Sequence, residues 1–292
     1  MSTVSVVTGA NSGIGRAIAI DLAARGHQVY GTVRDPARAG KLQSMATQVG
    51  VDVQLVTMDV ADDESVRLGL ANVIDKAGRV DVLVNNAGVG SNAVVEEASS
   101  SEILEVTNVN VCGAVRCLQA VLPGMRARRS GAIVNVTSVA GRFGAIAQAP
   151  YVASKWALEG LSEELALELA PFGIRVAIIE PGVTKSAIFA KNVDVPNSTG
   201  VYDAQYERMF DFYAAGIPKA TDPFQVAAVV YEAITTESPR LRYPCSWGGP
   251  EVLEGRRAMS DEEWVDLGRI TDTVEYRERF KSAFGVDITP PT

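Results

Sequence analysis

Short β-branched segments alternate with longer helical patterns through residues 1–180 of the chain. Segments 133–136 and 176–179 are mostly apolar and lack the polar alternation of a half-exposed strand. Such runs are typical of strands that are buried on both faces of a parallel sheet. Because parallel neighbours need crossover helices, the alternation predicts right-handed βαβ units in a single doubly wound α/β sheet.

The turns between these patterns mark the individual elements. We expect strands at residues 4–8, 28–33, 53–58, 82–85, 132–136, 175–180 and 241–244. Helices are expected at 14–25, 37–49, 64–77, 101–127, 151–170 and 223–235, and again from Ser260, where Ser260 and Glu263 have capping-box spacing. The pattern predicts one domain over residues 1–245, in which the aromatic-rich loop region 183–220 covers the site. Residues 246–292 are expected to be an extension, packed on the same domain or on a neighbouring subunit.

Charge and composition exclude several functions. The 27 Lys and Arg residues against 35 Asp and Glu residues give a formal net charge of −8, which argues against nucleic acid or an anionic membrane as partner. No apolar run approaches the roughly 18 residues of a membrane span, and residues 1–9 do not resemble a signal peptide. Three cysteines without metal-site spacing favour a reducing, cytoplasmic location.

The single histidine narrows the chemistry further. With His27 as the only imidazole, a multi-histidine metal centre within one chain is impossible, and we expect no metal site. No Gly-x-Ser-x-Gly segment accompanies His27, which argues against a Ser-His-Asp hydrolase. We interpret His27 as a surface turn residue.

A glycine-rich turn joins the first expected strand to the first expected helix. Gly9, Gly13 and Gly15 lie within the segment Thr-Gly-Ala-Asn-Ser-Gly-Ile-Gly. Glycines permit a tight turn and let the backbone approach a pyrophosphate at the positive N-terminus of a helix. The placement between strand and helix favours dinucleotide binding over a purely structural turn.

Together with this turn, further motifs resemble those of one family. Asn85-Asn86-Ala87-Gly88, Ser138, Tyr151 with Lys155, and Pro181-Gly182 occur in the order and spacing of the short-chain dehydrogenase/reductase family. The resemblance covers residues 3–245 and is nearest to the hydroxysteroid and retinol dehydrogenases. It implies a Rossmann-type fold and hydride transfer between a nicotinamide cofactor and a carbonyl compound or secondary alcohol.

The resemblance also implies where the cofactor binds. Val33 stands where NAD-selective members carry an acidic residue, and Arg34 follows it, which favours NADP(H); NAD(H) stays possible through Asp35. Ser12 is neutral where many NADP-preferring members carry a base. The implied cofactor contacts are Gly9, Asn11, Ser12, Gly13, Ile14, Gly15, Arg34, Asp59, Val60, Asn86, Ala87, Gly88, Tyr151, Lys155, Pro181, Gly182, Val183 and Thr184.

Four residues carry the implied catalysis. Tyr151 and Lys155 are four apart on an expected helix and therefore share one face, from which the lysine would lower the pKa of the phenol and bind the ribose. Ser138 would orient the substrate oxygen. Asn110 would hold a water of a proton relay, with Asn108 as the alternative position. Tyr151 would then protonate a carbonyl oxygen while NADPH delivers hydride, or act in reverse.

The substrate, the assembly and the alternatives are less constrained. An apolar pocket for a bulky lipophilic substrate is expected at Ala140, Phe143, Ile146, Phe189, Tyr202 and Phe210, although the aromatic cluster could instead pack a covering helix.

Family members commonly pair through the helices at 101–127 and 151–170, so a homodimer or homotetramer is expected. The alternatives are a non-redox relative, such as an epimerase or dehydratase, and a dinucleotide-sensing protein. The first usually has another glycine pattern and the second tends to lose the tyrosine or the lysine.

Overall fold

The computed structural model describes residues 2–186 and 195–291, and these contain the expected sheet. Neighbouring strands are all parallel, in the order β3-β2-β1-β4-β5-β6-β7. The observed ends differ from the expected ones by no more than one residue, so the predicted α/β fold is confirmed. The strands are β1 (Val4–Val7), β2 (Gln28–Val33), β3 (Gln54–Thr57), β4 (Val82–Asn85), β5 (Gly131–Val136), β6 (Ile174–Pro181) and β7 (Arg242–Cys245).

Helices connect the strands and cover both faces of the sheet. In the described ranges they are α1 (Gly13–Ala24), α2 (Gly40–Gln48), α3 (Asp63–Ala77), α4 (Ser100–Thr107), α5 (Gly113–Arg128), α6 (Ala149–Leu169), α7 (Asp203–Gly216), α8 (Pro223–Thr235), α9 (Gly249–Ala258), α10 (Asp261–Arg269) and α11 (Thr273–Phe284). Short 3₁₀ turns lie at Pro36–Arg38, Val139–Gly141, Ala170–Phe172 and Ile217–Lys219.

Two helical expectations need correction. The single helix expected over 101–127 is divided, because a π-helical turn at Asn108–Cys112 lies between α4 and α5. In the tail, α9 precedes the helix that was expected from Ser260. The capping box itself is present, with Ser260 accepting from the Glu263 N–H and the Glu263 carboxylate accepting from the Ser260 N–H.

The core has one layer on each face of the sheet. Val6, Leu83 and Ile133 pack against α3, α5 and α6, whereas the next residue along each strand packs against α1, α2 and α8. This is the two-residue side-chain alternation of a strand, with both faces buried. This burial requires strands that are apolar at most positions, as the sequence shows.

The strand order reverses between β1 and β4. Ligands of doubly wound sheets bind in the crevice outside the carboxyl ends of the strands at such a reversal. Thr8 ties the two strand ends together, since its hydroxyl accepts from the N–H groups of Asn86 and Ala87 at 2.9 Å each. The Asn86 amide in turn donates to the Thr8 carbonyl at 2.9 Å.

The tail packs on the domain and adds a third apolar cluster. Side chains of α9–α11 meet the turn after β5 and helix α7 in this cluster. Its buried members are Val139, Phe143, Ala215, Val252, Leu267, Tyr276, Phe280, Phe284, Val286 and Ile288. Among the residues that the structure describes, no helix combines the length and apolarity needed to cross a membrane.

Candidate active site

A single large cavity of about 1310 Å³ opens at the carboxyl ends of the central strands. It brings together nearly all the residues that the sequence singled out. Those lining it are Gly9, Asn11, Ser12, Gly13, Ile14, Gly15, Arg34, Asp59, Val60, Asn86, Ala87, Gly88, Ser138, Ala140, Phe143, Ile146, Tyr151, Lys155, Pro181, Gly182, Val183 and Thr184.

One end of the cavity is a backbone cradle at the N-terminus of α1. Gly9 and Gly13 have φ values of +68° and +51°, which side chains rarely tolerate. A Cβ on Gly15 would lie 2.3 Å from the Asn86 Nδ2 and 2.5 Å from the Gly9 carbonyl oxygen. The N-cap residue, Ser12, makes no side-chain hydrogen bond to the helix, and the first turn holds no acidic residue. The free N–H groups of α1 therefore face the cavity ready for an anion.

Two arginines lie beside this cradle. Arg34 follows β2, and Arg38 ends the 3₁₀ turn behind it; both are exposed and line the cavity. The Asp35 carboxylate accepts from the Ala37 N–H at 3.0 Å and so caps that turn. Sequence reasoning missed Arg38, although Asp35-Pro36 does predict the turn that carries it towards Arg34.

Asp59 and Val60 form the wall after β3. The Asp59 carboxylate accepts from the Ala61 N–H at 3.0 Å, while its own N–H donates to the Ser65 hydroxyl at 2.9 Å. Val60 is buried, and a Cβ on Gly113 would come within 2.9 Å of it. The wall is thus held rigidly by α3 and α5.

At the centre of the cavity, Ser138 and Tyr151 meet. Ser138 lies two residues beyond the end of β5, where its hydroxyl accepts from the Ala140 N–H at 3.2 Å. Burial raises the pKa of the Tyr151 phenol, and a hydrogen bond with Ser138 opposes that rise. The resemblance implies a lowered pKa through the lysine together with the oxidised nicotinamide; among the protein's own groups, burial has the largest effect and the direction is upward.

Lys155 lies one helical turn beyond Tyr151 on the same face of α6. Its Nζ is 5.6 Å from the centroid of the Tyr151 ring and donates to the Val136 carbonyl at 3.0 Å. Burial lowers the pKa of Lys155 to about 8, against an opposing effect of the Glu159 carboxylate. The lysine is therefore mostly protonated at neutral pH.

Asn110 lies behind the lysine, in the π turn, and does not line the cavity itself. Its amide donates to the Val89 carbonyl at 2.9 Å and the Ser154 hydroxyl at 3.0 Å, and its carbonyl accepts from the Val89 N–H at 2.8 Å. A Cβ on Gly88 would lie 3.2 Å from the Asn110 Oδ1 and 3.7 Å from the Lys155 Nζ. Asn110 and Lys155 therefore converge on one glycine.

Asn108, the alternative, lines the cavity, but its side chain is held by partners other than those of Asn110. Its amide donates to the Ala61 carbonyl at 3.2 Å, and its side-chain oxygen accepts from Arg116 at 2.8 Å. Asn110 is the asparagine whose side chain faces α6 and the Val89 loop.

The loop after β6 is fastened to the tail. Val183 donates to the Trp247 carbonyl at 3.0 Å, and the Thr184 and Ser246 hydroxyls are 2.8 Å apart. A Cβ on Gly182 would come within 2.3 Å of the Trp247 carbonyl oxygen, so only glycine fits there without a backbone shift.

A buried ion network lies below the catalytic helix. The Glu159 carboxylate accepts from Thr137 at 2.6 Å and from Arg242 at 3.0 Å. Glu180, whose side chain is 1% exposed, pairs with Arg142 at 3.2 Å and lies 3.9 Å from Arg242. Burial and the nearby Glu159 charge raise the pKa of Glu180 to about 7.

Two of the expected pocket residues lie away from the cavity, and one cannot be placed. Tyr202 donates its hydroxyl to Glu96 at the surface, and Phe210 packs edge-on against Tyr213 with ring centroids 6.5 Å apart. Both pack in a small apolar cluster around Tyr206 that adjoins the cavity wall, and neither residue lines the cavity itself. Phe189 lies outside the described residues.

The far wall instead comes from another face of α7 and from the tail. The sequence indicated that the aromatic segment ending at Tyr213 lines or covers the pocket, but it left open where the tail packs, so the tail positions were missed. The additional apolar and aromatic lining residues are Met209, Phe212, Tyr213, Trp264, Val265, Leu267, Tyr276, Phe280 and Ile288.

Comparisons with known proteins agree with this architecture. A family model described as short chain dehydrogenase matches residues 3–196, which include Asn110, Ser138, Tyr151 and Lys155. The 17-beta-hydroxysteroid dehydrogenase type 1 of Mus musculus is 38% identical over 252 residues, or 82% of this chain and 73% of that protein.

Two solved structures are also similar. The crystal structure of a short-chain dehydrogenase from Streptomyces avermitilis matches with a TM-score of 0.80 at 35% identity, covering 93% of this chain and 98% of that one. A variant of actinorhodin polyketide ketoreductase with NADPH matches with a TM-score of 0.71 at 33% identity, covering 80% and 91% of the two chains.

Proposed function

The chain belongs to the short-chain dehydrogenase family of oxidoreductases, and we propose that it transfers hydride between NADP(H) and the carbonyl carbon of a lipophilic ketone, or the corresponding secondary alcohol. The observation that carries this proposal is the single continuous cavity. The cradle of α1, the arginines after β2 and the Ser138–Tyr151–Lys155 cluster all face it.

The cradle fits a dinucleotide on three observations. The N-terminus of α1 lacks a side-chain cap, no Cβ is tolerated at Gly15, and the Asn11 Oδ1 is buried without a hydrogen-bond partner. When bound there, the nicotinamide supplies or accepts the hydride. Residues of the turn would hold the pyrophosphate, Asp59 and Val60 the adenine, and the segment from Pro181 to Thr184 the nicotinamide end.

We infer that NADP(H) is preferred over NAD(H). Arg34 and Arg38 both present guanidinium groups to the cavity beside the cradle, and guanidinium is the side-chain group best suited to a phosphate monoester. Val33 cannot accept a hydrogen bond from a ribose hydroxyl. Asp35 could, but its carboxylate is already engaged as the cap of the 3₁₀ turn. The NADPH in the ketoreductase structure is consistent with this preference.

Tyr151 is the proposed proton donor. Because burial raises its pKa, the phenol keeps its proton at neutral pH, which is the form needed to protonate a carbonyl oxygen. Ser138, hydrogen-bonded with it, is placed to hold the same oxygen and to stabilise the charge that develops there.

Lys155 and Asn110 support this pair. The lysine ammonium stabilises a phenolate after proton transfer and is placed to bind the cofactor ribose. Asn110 fixes the Val89 backbone and Ser154 around the lysine, and we propose that it also orients a water through which the lysine is reprotonated.

The experiment that tests this function compares Tyr151→Phe with Tyr213→Phe. Both variants lose a hydroxyl from a tyrosine of the cavity, but the Tyr213 hydroxyl donates to Asn92. We expect Tyr151→Phe to lower kcat for ketone reduction by NADPH by a factor of at least about 100, without weakening NADPH binding. Tyr213→Phe should cost less than tenfold. Near-normal turnover of Tyr151→Phe would contradict the mechanism.

We also propose that the protein forms a homo-oligomer through α4 and α6. Leu104 on α4 is 69% exposed, and Trp156 and Leu167 on α6 are 50% and 75% exposed, although isolated apolar residues on a surface are common. The two helices contact each other and so present these side chains together. Light scattering coupled to gel filtration tests this, with a monomeric Leu167→Glu variant expected; a monomeric parent would contradict it.

A further inference from the structure

Arg208 is a buried cation in the wall of the cavity. It lies on α7, is 4% exposed, and lines the cavity together with Met209 and Phe212. Arginine is almost never buried this deeply unless its charge is paired. What pairs with this guanidinium therefore bears on what the cavity binds.

The neighbours of Arg208 in the described part of the chain are neutral. Its guanidinium donates to the carbonyls of Gly268 and Ile270 at the end of α10, and it stacks 4.1 Å from the centroid of the Tyr276 ring. The two hydrogen bonds use two of the five N–H groups of the guanidinium. No carboxylate of the described residues lies within ion-pair distance of it.

The nearest acidic side chain on α7 is committed to another arginine. Asp211, which is also buried, accepts two hydrogen bonds from Arg277, at 2.8 and 2.9 Å. Glu207 is half exposed, lies 3.9 Å from Arg277 and accepts from Thr273. These groups fasten α11 to α7 and do not pair with Arg208.

The position of Arg208 on α7 gives a length along the cavity wall. Tyr213 is close enough to Tyr151 for the phenolate charge of one to raise the pKa of the other. Arg208 lies five residues earlier on α7, a rise of about 7.5 Å along the helix. The wall between them is apolar and includes Met209 and Phe212.

Building on the proposed function, we propose that Arg208 binds a monoanionic group at the far end of the substrate, so that the substrate is a lipophilic ketone or alcohol ending in a carboxylate or an equivalent anion. The carbonyl lies at Ser138 and Tyr151, and the apolar body spans the aromatic wall. A single buried guanidinium suits a single negative charge.

A pair of probes that differ only in charge tests this proposal. 9-Oxodecanoate places a carboxylate about 9 Å from its ketone, and its methyl ester has the same chain without the charge. Binding of each is measured by isothermal titration calorimetry in the presence of NADP⁺, which allows no reduction, and turnover is measured separately with NADPH. We expect the carboxylate to bind at least about tenfold more tightly than the ester and to have the lower KM.

Variants separate recognition from support of the tail. Arg208→Met should abolish the preference for the carboxylate, and Arg208→Lys should restore part of it. Arg277→Met is the matched control, because it breaks the neighbouring attachment of α11 without removing a cavity residue, and it should keep the preference. Equal binding of the two probes to the parent protein, or loss of the preference in Arg277→Met as large as in Arg208→Met, would overturn the proposal.

The two readouts also separate this proposal from the function on which it rests. Reduction of both probes with no preference for the carboxylate contradicts the anion site and leaves the reductase function standing. A calorimetric preference that depends on Arg208, without reduction of either probe, supports the anion site and contradicts the reductase function.

Discussion

Replacing Arg34 and Arg38 together should convert the protein from NADPH selection to indifference between the two cofactors. Both guanidinium groups line the cavity beside the α1 cradle, and neither makes an ion pair with a carboxylate of the described residues. The proposed ligand for them, the 2′-phosphate, is the one group that NADPH has and NADH lacks. Arg34→Leu/Arg38→Leu should therefore weaken NADPH binding and leave NADH binding almost unchanged.

The exposure of the two side chains limits the expected magnitude. A hydrogen bond to a charged group contributes about 1.5–3 kcal/mol, but solvent screening at exposed positions reduces this to about 1–1.5 kcal/mol for each arginine. The sum of about 2–3 kcal/mol corresponds to a loss of roughly 30- to 150-fold in NADPH affinity. Raising the salt concentration should weaken NADPH binding to the parent protein more than to the double variant.

Reduced-nicotinamide fluorescence measures both affinities in one titration format. Lys41→Leu is the matched control, since Lys41 is an exposed cation on the adjacent α2 but is not part of the cavity wall. It should change neither affinity by more than about twofold, because its charge is screened. An unchanged NADPH affinity in the double variant, or an equal loss for NADH, would refute the assignment of these arginines to the phosphate.

Three further outcomes are expected. Lys155 has a pKa of about 8, so its positive charge is lost as the pH rises above that value. We therefore expect kcat/KM to be level at lower pH and to fall up to tenfold per pH unit above about pH 8. A pH–rate profile that stays level to pH 10 would contradict the role of Lys155. Gly182→Ala, whose new Cβ would meet the Trp247 carbonyl, should lower the free energy of unfolding in urea by about 1–3 kcal/mol, whereas Gly268→Ala on α10, whose new Cβ would meet no atom within 4 Å, should raise it by up to about 1 kcal/mol. Glu180 has a pKa of about 7 in the folded protein against an ordinary value of 4.5, so the folded state binds this proton more tightly than the unfolded state does. The free energy of unfolding should therefore fall as the pH rises from about 5 to 7. Glu180→Gln should remove up to about 3 kcal/mol of that loss, measured by urea unfolding at both pH values.

The sheet could be predicted closely from the sequence because its signals are local. Segments such as 133–136 and 176–179 are mostly apolar and lack polar alternation, which is the pattern of a strand with both faces buried. The glycine turn was equally readable, since Gly9 and Gly13 adopt positive φ values and Gly15 touches a neighbouring backbone. In both cases the residue type itself carries the constraint.

The substrate end of the cavity could not be predicted in the same way. The tail shows an amphipathic spacing at Tyr276, Phe280 and Phe284, but that spacing is equally consistent with covering the active site, capping the sheet or packing on another subunit. Which surface it covers depends on contacts with α7 and with the turn after β5, far away in the sequence. For the same reason, the side of α7 that faces the cavity carries Phe212 and Tyr213 rather than the expected Phe210.

The assignment of Asn110 shows where a motif and a structure supply different information. Asn108 and Asn110 are two residues apart, so on any regular helix their side chains point in roughly opposite directions, about 200° apart at 100° per residue. The sequence cannot choose between them, because nothing local fixes the rotation of the helix, and here a π turn alters that rotation further. The choice is made by α6 and the Val89 loop, which accept Asn110, and by Arg116, which engages Asn108.

The direction of the Tyr151 pKa shift has the same kind of cause. A tyrosine and a lysine one helical turn apart suggest a lowered phenol pKa, yet burial raises it and lowers the pKa of Lys155 to about 8. Desolvation disfavours both charged forms at once, and it comes from elements packed over α6 rather than from the helix itself. Burial keeps the phenol protonated but also makes it a weaker acid, so proton transfer to a carbonyl oxygen depends on the lysine ammonium, which stabilises the phenolate that forms. Running the reaction as an alcohol oxidation requires an additional positive charge close to the phenol, which would lower its pKa.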